Sequence, residues 1–244
     1  MKLFGLEVWG NYACFTRPEM KVERHSYPVI TPSAARAIFN AIYLHFGGGS
    51  PCRASFRWQV RRVEIVNPVQ FIPFSRNEIK GKISTALVLR SAKNPALLKS
   101  LLADASGSKA IKSGRTQRQA TILRNVRYRI YAEPVLFTAN VALERQIERV
   151  FERRVENGQC YHQPYFGCRE FVAYFEPIDP LSTTRAAVDE EIGWMIYDVF
   201  DLSTPGSPTD ATRVSIFKAS IRDGVLEIPP FESGDVRKLG LVVF

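Results

Sequence analysis

Residues 122–134 read ILRNVRYRIYAEP, and the rest of the arrangement can be worked out from them. Val126, Tyr128 and Ile130 fall on one side of an extended chain and Arg127, Arg129 and Tyr131 on the other, because successive strand side chains point to opposite faces. The first set suits a core. The second joins guanidinium forks to stackable rings, which is more than a solvated surface requires. Downstream, NVALERQIERVFERRVENG (140–158) repeats Leu143, Ile147, Val150 and Phe151 at helical spacing, with Gly158 as a fitting stop. EFVAYFEP (170–177) then returns to strand. Upstream, KLFGLEVW (2–9) reads as a strand and Asn11 to Tyr27 as an irregular loop. TPSAARAIFNAIYLHFGGG (31–49) reads as a helix capped by Ser33 and ended by its glycines, and FRWQVRRVEIVNPVQF (56–71) as a strand interrupted at Asn67-Pro68.

Between these pieces, residues 79–121 mix an expected short strand at Ser84–Leu89, a helix in NPALLKSLLADA (94–105) and a mobile basic loop, SGSKAIKSGRTQRQ (106–119). The order is strand, helix, strand, basic insertion, strand, helix, strand. This βαββαβ pattern predicts an α+β protein with a ferredoxin-like, RNA-recognition-motif-like domain over 1–178, the insertion occupying about 79–121. Pro177 to Pro180 marks the boundary. Strands in IGWMIYDVFDL, SIFKASIRDGVLEIPPF and KLGLVVF, with Asp223-Gly224 as a two-residue hairpin turn, predict a small antiparallel β-sheet domain over 179–244. Many RNA-recognition modules share the first fold, but a fold alone assigns no function.

The chain has 244 residues, 45% of them hydrophobic, enough for a buried core. Its opening residues lack the uninterrupted apolar region of a signal peptide, and no apolar run approaches the roughly 20 residues that span a bilayer. A cytoplasmic protein without a membrane partner is expected. The net charge of +9 is concentrated: from Lys80 to Arg129 twelve Lys or Arg face Asp104 alone, a balance of +11, so the remainder carries −2. Such a block points to a polyanion, above all nucleic acid. After Pro180 the balance turns acidic, ten Asp or Glu against six Lys or Arg, which argues against the tail as the main anion-binding surface.

GQCYHQPYFGCREF (158–171) admits three readings. It is a metal site on Cys160, His162 and Cys168, a nucleophilic cysteine with a nearby base, or a Gly-framed loop that brings Arg169 and its rings to a ligand. The first lacks a fourth donor, and there is no C-x-x-C pair in the chain, so no metal and no cofactor are expected. In a reducing compartment Cys14, Cys52, Cys160 and Cys168 are expected to be unpaired. Gly167 is expected to serve a backbone angle or close approach that other residues cannot.

This stretch, together with RTQRQATILRNVRY, SAARAIFNAIY and NPVQFIPFSRNE, resembles the CRISPR-associated endoribonucleases of type I-C systems, the variant of the fifth Cas family, within the RAMP superfamily, that processes precursor CRISPR RNA. The resemblance runs in order over most of the first 180 residues. It implies cleavage at the base of the repeat hairpin and retention of the product within a surveillance complex of several subunits. It also implies metal-independent chemistry, in which the 2′-hydroxyl attacks the adjacent phosphorus and leaves a 2′,3′-cyclic phosphate. Such a reaction needs a proton acceptor, a proton donor for the leaving 5′-oxygen, and a cation at the phosphoryl oxygens.

By the same resemblance the active-site tyrosine is Tyr43, while the positions of an adjacent Lys-His pair fall on Gln146 and Ile147; no Lys-His pair occurs in the chain. His45, His25 and His162 are the candidates for the missing proton transfer, His45 first because it follows Tyr43 by two residues, and Arg145 or Arg149 could supply the cation. The expected RNA contacts are Lys109, Lys112, Arg115, Arg118, Arg124, Arg127, Arg129 and Arg169. Two rival readings stay open: a binding subunit of the same complex that has lost cleavage, and a protein whose basic region engages duplex DNA.

Overall fold

In the computed structural model, residues 2–46, 54–79, 84–100, 115–204 and 213–241 are described. The organising element is β4, Arg115–Leu136, a strand of 22 residues. Its first part pairs with β3 (Phe71–Ile79) and its second with both β1 (Phe4–Ala13) and β2 (Phe56–Ile65), all antiparallel. Asn125 sits between the β3 and β2 registers at a φ of 52°, and its carbonyl accepts the Asn67 amide at 2.9 Å. Asn tolerates this left-handed conformation better than most residues, so the strand can change partners there without glycine.

Strand β5 (Tyr174–Glu176) pairs with β1, and β6 (Glu190–Asp198), β7 (Arg213–Arg222), β8 (Val225–Glu227) and β9 (Val236–Leu241) follow. The sheet runs β5-β1-β4-β2-β8-β7-β6, with β3 on β4 and β9 on β7. It is antiparallel throughout its pairings, and it makes the protein α+β. The strands after Pro180 join the earlier ones through β8 on β2. Asp223 and Gly224 both take positive φ, as a two-residue hairpin requires.

Helices α1 (Pro32–Ile42) and α3 (Val141–Glu156) cover one face. Phe39 of α1 stacks on Phe151 of α3 at 5.4 Å, and both meet Trp58 of β2, which is fully buried. Leu143, Ile147, Phe151 and Val155 form the inner stripe of α3, and Asn140 caps it by accepting the Leu143 amide at 3.0 Å. The cap of α1 is Thr31 rather than Ser33, because Pro32 takes the first helical position, where its missing N–H costs nothing.

Three expected elements differ. Ser84–Leu89 is no strand: Ser84 accepts the Leu87 amide and starts α2 (Thr85–Lys93), a local bond that outweighs β-branched composition. Pro95–Ser100 forms a 3-10 turn, and the rest of the helix expected over 94–105 lies outside the described residues. Residues 115–119 belong to β4 rather than to a loop, since β3 supplies a hydrogen-bonding partner from outside the segment; 106–114 lie outside the described residues.

On the face opposite the helices, the alternation read from 122–134 holds, but part of that face is covered. Ile178 packs into the space left at Gly5, Ser182 accepts Arg129 at 2.6 Å, and the Ala186 amide donates to Ile65 at 2.9 Å. The segment 178–188 therefore lies across Gly5, Arg129 and Ile65 like a strap.

Candidate active site and nucleic-acid interface

Tyr43 ends α1. Its backbone turns extended, its carbonyl accepts the Trp58 indole at 2.8 Å, and its ring packs on Phe56, leaving the residue 5% exposed. The Arg154 guanidinium of α3 lies 5.2 Å from the ring centre and also donates to the Ile42 carbonyl. The hydroxyl is buried without a well-formed hydrogen bond, with the Gln146 side chain on its approach from α3. Burial pushes the phenol above its ordinary pKa of 10, and Gln146 and Arg154 offset this only in part. At neutral pH the Tyr43 phenol therefore stays protonated.

Gln146 thus reaches the tyrosine, while Ile147 is fully buried in the helix stripe. A histidine at 147 would face the core. Arg145 and Arg149 are exposed, and the cation at Tyr43 is instead Arg154, which the sequence reading missed. The available signal was its spacing: Arg154 lies two helical turns after Gln146 on the same face. His45 bonds Ser55 through Nδ1 at 3.1 Å, His25 bonds the Ser26 carbonyl at 3.0 Å, and His162 is exposed against the edge of Tyr161. None of the three reaches the Tyr43 hydroxyl.

The 158–171 stretch is a folded loop. The amides of Tyr161 and His162 donate to the Ala41 carbonyl at the end of α1, and the Cys14 amide donates to the Phe166 carbonyl at 3.1 Å. Phe166 and Phe171 are buried, and further bonds between Phe166 and Phe171, and between Ala173 and Pro164, hold the loop so that β5 begins only at Tyr174. Gly167 has a φ of +79°, and a Cβ there would overlap the Cys14 carbonyl oxygen. Cys168 is buried and Cys160 exposed, and among the described residues no three His, Cys, Asp or Glu side chains gather as metal ligands. The Cys168 sulfur accepts Arg24 at 3.3 Å and Arg76 at 3.8 Å. The Cys14 thiol beside it, then these guanidiniums, draw its pKa down to about 6, while Cys14 is pushed up.

The expected RNA contacts divide sharply. Arg124 and Arg169 are exposed. Arg118 is half-buried against Glu78 at 3.0 Å. Arg127 bonds Glu7 and Glu176 and lies 5.1 Å over Trp9. Arg129 needs correction: at 2% exposure, held by Glu7 at 3.0 Å, Glu64 at 3.6 Å and Ser182 under the strap, it offers no edge to a polyanion. Lys109 and Lys112 lie outside the described residues, and of Arg115 only the strand position is described. Sequence reading also missed the open stack beside Arg127, Trp9 on Tyr174 at 6.0 Å, with Tyr174 53% exposed. Their pairing across β1 and β5 depends on a register that local pattern does not carry.

The family model Cas_Cas5d, described as "CRISPR-associated protein (Cas_Cas5)", matches residues 5–229. The chain belongs to the Cas5d family. A curated relative from Mannheimia succiniciproducens, "CRISPR pre-crRNA endoribonuclease Cas5d", is 36% identical over 242 residues, covering 96% of this chain and 97% of the relative. A second of the same name, from Thermus thermophilus, is 35% identical over 237 residues, covering 92% and 90%. Among solved structures, "Crystal Structure of CRISPR-associated Protein" aligns with a TM-score of 0.60 at 19% identity over 97% of this chain and 96% of that one. The Streptococcus mutans protein SMU1763c, described as functionally uncharacterized, gives 0.59 at 19% identity over 97% of both. These two likenesses concern the fold.

Tyr43→Phe removes a hydroxyl that has no well-formed bond to lose. The expected change in folding stability is within about 0.5 kcal/mol in either direction, read by urea denaturation. A loss well above that would reveal a bond to the hydroxyl in solution.

Proposed function

We propose that the chain cuts precursor CRISPR RNA at its repeat hairpin without a metal ion and keeps the product as a subunit of a surveillance complex. The observation that carries this reading is the convergence of Tyr43, Gln146 and Arg154 in a chain whose curated relatives are named pre-crRNA endoribonucleases. The ribose 2′-oxygen attacks phosphorus, the P–O5′ bond breaks, and the products end in a 2′,3′-cyclic phosphate and a 5′-hydroxyl. Tyr43, protonated at neutral pH, gives its proton to the leaving 5′-oxygen. Arg154 supplies positive charge against the developing phosphorane. His45, two residues along an extended backbone from Tyr43, takes the 2′-hydroxyl proton. RNA lies along Arg118, Arg124, Arg127 and Arg169; Lys109, Lys112 and Arg115 are the further contacts expected from the sequence.

The order β5-β1-β4-β2 with α1 and α3 on one face supports a ferredoxin-like unit over 1–178, followed by the β unit of 179–244. A second reading, a binding subunit without cleavage, is favoured by Ile147 in the core where the family pattern calls for histidine. Incubation with the host repeat RNA in excess EDTA separates the two. The enzyme cuts the all-RNA hairpin and spares one carrying 2′-deoxyribose at the scissile position; intact RNA at saturating protein leaves the binding subunit. A duplex-DNA binder would show no preference for the RNA hairpin.

Arg124→Ala and Arg169→Ala are each expected to weaken hairpin binding and to lower the slope of log affinity against log salt by about 0.7–0.9. Unchanged slopes in both would move the RNA surface elsewhere.

A further inference from the structure

An open cleft of about 530 Å³ lies on the C-terminal strands, in the part of the chain whose acidic balance argued against anion binding. Its volume is within the roughly 300–1,000 Å³ typical of small-ligand sites. Trp194 of β6 stands in it, 41% exposed, directly across from Lys218 of β7. The Lys218 ammonium lies 5.7 Å from the indole ring centre and the Arg237 guanidinium of β9 lies 4.5 Å from it. Arg61 of β2, Glu227 and Asp235 contribute to the walls.

The acidic groups do not neutralise the two cations at the ring. Glu227 accepts Arg62 at 2.8 Å, and Asp235 accepts the Ser233 hydroxyl at 2.8 Å. Among the described residues, neither Lys218 nor Arg237 has a carboxylate partner within salt-bridge distance. Both are exposed and held by the electron-rich indole face. A partly open aromatic surface beside two uncompensated cations calls for a ligand with a planar face and an attached anion, which describes a nucleotide.

We propose that this cleft holds one nucleotide of unpaired RNA, its base against Trp194 and its phosphate between Lys218 and Arg237. The site extends the RNA-binding reading to the strands after Pro180 and rests on that reading for its biological ligand. It does not depend on cleavage.

The test uses the full chain carrying Trp9→Phe. Of its three tryptophans, Trp58 is fully buried, so Trp194 then reports alone on added ligand. Titration with a six-nucleotide oligoadenylate should quench its fluorescence saturably, and Lys218→Ala with Arg237→Ala should raise the dissociation constant at least fivefold. Because both side chains are exposed, the melting temperature of this double variant should not change. Absence of quenching overturns the proposal. So does equal competition by inorganic phosphate, which would mark a plain anion site, or by polyglutamate, which would mark a docking surface for acidic protein. Hairpin cleavage in EDTA is measured on the chain with Trp9 intact. Quenching without cleavage keeps the cleft and removes the enzymatic reading, and cleavage without quenching does the reverse.

Discussion

Gly167→Ala is expected to lower the melting temperature by about 10 °C. Two costs combine at this position. The backbone φ of +79° strains any L side chain, and the new Cβ meets the carbonyl oxygen of Cys14, a backbone atom that cannot turn aside. Moving Cys14 would disturb its amide bond to the Phe166 carbonyl and the packing of Phe15 on Phe166. Strain and overpacking together amount to roughly 3–5 kcal/mol, and in a chain of this size each kcal/mol shifts the midpoint by about 2–4 °C. Gly158→Ala isolates the first cost: its φ is +62° but nothing lies within 4 Å of the added carbon. That variant should lose only about 1 kcal/mol. Equal melting temperatures for the two, measured by calorimetry, would refute the steric account of Gly167.

The second large effect is expected at Arg129. Replacing it by alanine leaves Glu7 and Glu64, both buried, without their central cation, and breaking a buried ion pair from one side costs about 3–5 kcal/mol. Arg127 still bonds Glu7, so the loss should fall at the lower end of that range. Arg124→Ala, on the same strand but exposed, should change stability by no more than about 0.5 kcal/mol. Urea denaturation of the two variants therefore separates them, while RNA affinity separates them in the opposite sense: Arg124→Ala weakens binding, and Arg129→Ala does so only under conditions in which the chain unfolds. An Arg129→Ala protein of unchanged stability and lost affinity would mean that the strap opens and exposes this residue to RNA.

These two arginines also mark how far local pattern reaches. Alternation in 122–134 correctly assigned Val126, Tyr128 and Ile130 to the core, and helical spacing placed Leu143, Ile147 and Phe151 on one stripe, because both periodicities are imposed by the backbone itself. Alternation also put Arg127 and Arg129 on one face, yet only Arg129 lies beneath Ser182, which is 53 residues away. The strand at 71–79 and its partner up to residue 121 escaped for the same reason: each looks irregular until the other is beside it. At the candidate site, Tyr43 was reached through family resemblance, whereas Arg154 needed the packing of α3 on α1.

Arg36, in the first half of α1, grips the buried Asp198 of β6 through two bonds, 2.7 and 3.0 Å long. Seven residues later, about 10 Å along the helix axis, the same rod ends at Tyr43. Asp198 is itself fixed by the amides of Val199 and Phe200, so the C-terminal strands and the tyrosine are joined through a single helix. The placement of β6 and that of the phenol beside Arg154 are thereby fixed relative to each other through one helix, by a bidentate clamp remote from the site.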